Sequence, residues 1–187
     1  MTPATVGSVQ VRTNAKLRYA AEHLEELRSI SKDKGGDFAR AHQESFLYHL
    51  LGVKDAFLME LNHYYGCELD PESVTPGKLR THLASEGRSS TELATLYNLK
   101  RDSTSWLHKA VAMRDRGTHV GSVPLTHNLG GASHGQAWLA DLDTGSPIPS
   151  DYVDLFENWH REMTNLVTDL RQSALKATGF AASAPLT

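Results

Sequence analysis

A chain of 187 residues with 40% hydrophobic content is long enough to bury a core and short enough to favour one domain. A net charge of −3, with ten histidines counted neutral, excludes a global basic field, so any nucleic-acid partner has to be held locally. The single Cys67 excludes an internal disulfide or a four-thiolate zinc site within one chain, and neither a leader at Met1 nor an apolar run near the ~18 residues of a membrane span is apparent, so the sequence predicts a cytoplasmic protein.

Residues 1–11 and 179–187 lack a helical period and are expected to be flexible termini around one domain spanning 12–178. The first helix is predicted over roughly 13–32, with Leu17, Ala20, Leu24, Leu27 and Ile30 on one face and Gly35-Gly36 as its stop. The second, roughly 38–65, is the most apolar, and its Phe46, Leu47, Leu50, Leu51, Val53, Phe57, Leu58, Leu61 and Tyr64 predict a central position. Thr75-Pro76 opens a short third helix to about Ser85.

A long fourth helix is predicted from a capping box at Ser89 and Glu92 to a stop at Gly117. Its apolar face carries Leu93, Leu96, Leu99, Trp106, Leu107, Ala110 and Val111, and Arg114 falls near the centre of that face. A fixed charge aimed inward costs several kcal/mol without a partner, so Arg114 marks the place to look for chemistry. Asp115 lies at the margin, Arg116 outside it, and His119 is expected in the turn beyond the helix.

A connection of ~30 residues without structure is unusual in a compact domain. Between 119 and 149, Val123 and Leu125, then Trp138, Ala140 and Leu142, alternate with other residues around Gly130-Gly131 and predict a small hairpin, with Pro124 confining its first arm to an edge. The last helix begins near Ser150-Asp151 with Tyr152, Leu155, Phe156, Trp159, Met163, Leu166, Val167 and Leu170 as its stripe. The fold class is therefore an all-α up-and-down bundle of four to five helices with a hairpin or loop insertion before the last.

The segment Arg114-Asp115-Arg116-Gly117-Thr118-His119 resembles the motif of the HEPN superfamily of helical domains, many of which are RNases. In that family four to six residues separate the Arg from the His, the first of them typically Asn, Asp or His, and the pair lies near the end of a late helix. Arg18 with His23 and Arg101 with His108 share similar spacing, but they do not combine an inward Arg with a His in a turn. The resemblance implies metal-independent RNA cleavage without a cofactor, with Arg114 and His119 catalytic, Asp115 and Arg116 supporting, and two chains sharing one cleft. His119 would exchange protons with the ribose 2′-hydroxyl or leaving oxygen, Arg114 would stabilise the phosphate, and the product would be a 2′,3′-cyclic phosphate. The Tyr found two residues after His in toxin members is replaced by Gly121. The alternative is a non-catalytic RNA-binding or interaction module that works with an antitoxin or another defence-system protein.

Two other arrangements compete. Glu60-x-x-His63 and Glu157-x-x-His160 have the spacing of di-iron bundles, but Glu157 and His63 project outside the apolar arcs, so no metal is expected. His49, His119, His127 and His134 lack the pair four residues apart of DinB-type metal bundles, so solvated or satisfied histidines are expected. Trp106, Trp138, Trp159, Tyr64 and Tyr65 read as core and hairpin packing.

Overall fold

The computed structural model describes residues 6–30, 36–119, 125–127 and 137–180. Its helices are α1 (Val6–Ser29), α2 (Gly36–Tyr64), α3 (Pro76–Ser85), α4 (Thr91–Arg101), α5 (Trp106–His119) and α6 (Tyr152–Thr178). Three short strands, β1 (Leu125–His127), β2 (Ala137–Ala140) and β3 (Pro147–Asp151), precede α6. The fold is an all-α bundle with a small antiparallel sheet, and no helix among the described residues is long and apolar enough to cross a membrane.

The centre is α2, whose nine predicted apolar positions are all at most 2% exposed. It packs against α1, α5 and α6. Residue pairing gives the directions: His23 meets His42 and Lys16 meets His49, so α1 and α2 run antiparallel. Phe46 stacks on Phe156 at 4.5 Å and Glu60 meets Arg171, so α2 and α6 run parallel. Their close packing buries Phe156, Trp159, Met163 and Val167 of α6, the i, i+3, i+4 pattern of a core-facing stripe. Asp151 caps the start of α6 by accepting from the Val153 amide, and Gly179 ends it at φ 72°, a left-handed geometry that glycine adopts without strain. Gly52 serves a different need, since a Cβ there would lie 3.3 Å from the Lys16 stem of α1.

Four expectations are corrected. Helix α1 starts at Val6, so residues 6–11 belong to the helix and not to a loose terminus. The predicted fourth helix is two helices, because Asp102-Ser-Thr-Ser105 supplies its own stops: the Asp102 carboxylate accepts from the Thr104 amide, and the Ser105 hydroxyl accepts from the His108 amide at the start of α5. The cap of α4 is Ser90 and not Ser89, with the Leu93 amide donating to its hydroxyl at 3.2 Å. Finally, the predicted hairpin is a three-stranded sheet, with Leu125 opposite Leu139 and with Trp138 and Ala140 of β2 opposite Asp151 and Pro147 of β3. Prolines lack an amide donor, which hides β3 in the sequence and suits it to an edge. Ala140 ends β2, and Leu142 lies in a turn where the Asp141 carboxylate accepts from the amides of Asp143 and Thr144. The predicted features at Gly121, Val123, Pro124, Gly130-Gly131 and His134 lie outside the described residues, as do 1–5 and 181–187.

Candidate functional site

The break at 102–105 means that the direction of Arg114 is set by α5 alone. Leu107, Ala110 and Met113, at 0%, 0% and 1% exposure, face the core. Arg114 is two turns on from Leu107, on the same side of the helix. It meets a groove there, not a sealed interior. The groove is about 260 Å³ and is lined by Glu44, Ser45, Leu47 and Tyr48 of α2 with Met113, Arg114 and Gly117 of α5. The Arg114 side chain is 34% exposed, so the full desolvation penalty predicted for an inward arginine is not incurred.

Asp115 holds the guanidinium, with Arg114 Nε and Nη2 donating to its Oδ1 at 3.0 and 2.7 Å. Adjacent helical residues diverge, but the long Arg114 side chain curls back to its neighbour, so Asp115 takes the supporting role at Arg114 within one chain. Arg116 is exposed. Helix α5 does not stop at Gly117 but continues through Thr118 and His119, because glycine lowers helix propensity without forbidding the conformation. Helical geometry then carries the His119 backbone about 7.5 Å along the axis from Arg114 and about 140° around it. The turn expected to return His119 towards Arg114 is therefore absent from this stretch.

The other Arg and His pairs are committed elsewhere. Arg18 lies 3.9 Å from Glu22, Arg101 donates to the Tyr97 hydroxyl, and His108 contacts the Lys100 carbonyl oxygen at 2.9 Å. Of the two Glu-x-x-His pairs, three residues are likewise bound by protein groups, while the buried Nε2 of His63 has no hydrogen-bond partner among the described residues. Fully buried Glu60 accepts from Arg171 and from the Tyr64 hydroxyl, while Glu157 accepts from Arg28 and His160 Nε2 lies 3.0 Å from the Leu17 carbonyl oxygen. Among the described residues, no group of three His, Cys, Asp or Glu side chains is arranged to hold a metal ion. Trp159 and Tyr64 are in the core, and Trp106 is half-buried against it. Tyr65 donates to Glu92, and burial together with that carboxylate raises its hydroxyl to about 12.

The sequence grouped His49 with His119, His127 and His134, whereas the structure places it in a cluster with Lys16, His23 and His42. His23 Nδ1 lies 3.1 Å from His42 Nδ1, the His23 and His49 rings stack at 5.4 Å, and Lys16 Nζ lies 3.3 Å from His49 Nδ1. Tyr48, 62% exposed, packs edge-on against His49 and also lines the Arg114 groove, so cluster and groove adjoin. The spacing of Lys16, Tyr19 and His23 down one side of α1 is the signal that could have revealed the cluster.

Burial, then the neighbouring His42, lowers the affinity of His23 for a proton; burial, then Lys16, does the same for His49, and both effects outweigh Glu22. An unfolded chain binds these protons near pH 6.5, above the folded values, so the contribution of the cluster to stability is complete above that pH and is lost as pH falls below it. The urea midpoint is expected to be lower at pH 5 than at pH 7.5, and His23→Gln with His49→Gln should flatten that slope. Equal slopes in the parent and the double variant would contradict this.

Comparisons of the chain with models of protein families, with curated proteins and with solved structures return no match.

Proposed function

We propose that the protein is a metal-independent endoribonuclease of the HEPN type, acting on single-stranded or tRNA-like RNA. In this reading Arg114 stabilises the phosphate as charge builds, and His119 serves as general acid and base towards the 2′-hydroxyl and the leaving oxygen. The supporting observation is the position of Arg114: an oriented guanidinium, one-third exposed, at a groove open to a ligand. Asp115 fixes its orientation, and Arg116 adds positive charge at the same helix end. Two chains with their α5 ends together would line one cleft with two copies of each arginine, giving a mildly acidic protein a local means of gripping a polyanion.

A second reading is favoured by the continuation of α5 through His119, which separates it from Arg114 along the helix. In that reading the groove belongs to a non-catalytic module that binds RNA or a partner protein, such as an antitoxin or another defence-system component. Site variants distinguish the two. Arg114→Ala and His119→Ala are each expected to reduce RNA cleavage by about 10²–10⁴-fold without changing the helical circular dichroism, with two chains per particle in sedimentation. Retained cleavage by either variant would remove that residue from the mechanism, whereas RNA binding without cleavage by the parent would favour the second reading.

A further inference from the structure

A second concavity lies away from Arg114, between α3 and α4 with part of α2 as its wall. It encloses about 670 Å³, far more than the Arg114 groove. The buried Leu58, Leu83, Leu93 and Leu96, each at most 6% exposed, form the bottom of an apolar floor that continues onto the exposed Ala94. Its lining residues include Lys54, Arg80, Arg88, Lys100 and Arg101, and no Asp or Glu. Lys54 is paired with Asp55 and Arg88 with Glu86, but Arg80, Lys100 and Arg101 have no carboxylate partner among the described residues. On a chain with net charge −3, this groove gathers cations around an apolar floor against the sign of the whole.

We propose that this groove docks an acidic amphipathic helix of a partner protein, about three turns long. The length follows from α4, whose 11 residues span about 16 Å. The partner's apolar face would cover the leucine floor, and its flanking carboxylates would meet Arg80, Lys100 and Arg101. Charge excludes this chain's own undescribed segments as the occupant. Residues 1–5, 120–124, 128–136 and 181–187 contain no acidic residue, and 31–35 holds only Asp33 between two lysines. The floor also argues against RNA, because Tyr97, the one aromatic ring in the lining, already has Arg80 and Arg101 over it at 5.7 and 5.3 Å.

The test is selection of a displayed library of helical 12-residue peptides, with fixed apolar spacing and randomised polar positions, against the full chain. Selected peptides are expected to carry Asp and Glu beside the apolar stripe. A synthetic consensus peptide should bind about tenfold or more weakly to Arg80→Glu/Arg101→Glu and to Ala94→Trp, two surface variants whose melting can be matched to the parent. Equal recovery of basic peptides, or consensus binding unchanged in either variant, would overturn the proposal. So would a 12-nucleotide single-stranded RNA whose binding is lost in both variants, or a change in sedimentation mass on Ala94→Trp, which would assign the groove to nucleic acid or to a second copy of the chain.

Discussion

Arg171→Ala is expected to lower the unfolding free energy by about 3–5 kcal/mol, because it leaves a fully buried carboxylate without its cation. Arg171 of α6 donates from Nε and Nη2 to the two oxygens of Glu60 in α2, each at 2.8 Å, and the Tyr64 hydroxyl donates to Oε2 at 2.9 Å. Gln10 of α1 donates in turn to Tyr64, and Arg171 reaches Asn14, so one buried carboxylate connects three helices. Ion pairs of this kind are weak contributors when compared with a well-packed apolar pair, yet severe liabilities when halved. Glu60→Leu with Arg171→Met should therefore recover much of what Arg171→Ala loses. Urea unfolding measures both, and a loss below about 1 kcal/mol for Arg171→Ala would show that the pair does not hold α6 to α2.

The second large effect is expected at Glu92, a carboxylate 1% exposed and bound by hydroxyls instead of a cation. Tyr65, Ser90 and Ser173 donate to it at 2.7, 2.6 and 2.5 Å from the end of α2, the cap of α4 and the body of α6. Glu92→Ala leaves three donors without their acceptor and opens space among them, at a cost of about 2–4 kcal/mol. Burial alone would raise the proton affinity of this carboxylate, but the hydroxyls of Ser173, Ser90 and Tyr65 outweigh it and hold the group below its ordinary 4.5. Its contribution is then complete above pH 4.5 and is lost as pH falls through the depressed folded value. Glu92→Ala should accordingly be less stable than the parent at pH 7, with the gap narrowing in acid. A gap that stays constant from pH 7 to pH 3 would contradict the assignment.

Neither carboxylate was legible from the sequence as a structural anchor. Glu60 stood out for its spacing to His63, and Glu92 for its spacing to Ser89, because local patterns reveal neighbours within a turn or two. The partners that decide their roles, Arg171 and Ser173, are supplied by a helix 111 and 81 residues away. The apolar faces of α2 and α6 could be read because burial imposes its period on many residues at once. The gap between α4 and α5 could not, since Leu99 and Trp106 both pack against the core on either side of it and keep the apolar content continuous across Asp102–Ser105. The direction of Arg114 follows from its two-turn spacing to Leu107, whereas the open groove it meets depends on which side chains α2 presents opposite.

The most direct measurement is incubation of the purified chain with bulk RNA in EDTA, followed by analysis of the fragment ends. Cleavage that survives chelation and leaves 2′,3′-cyclic phosphates is the predicted result, since proton exchange at His119 and charge stabilisation by Arg114 require no metal. Intact RNA, or cleavage that appears only when a divalent metal is restored, would contradict it.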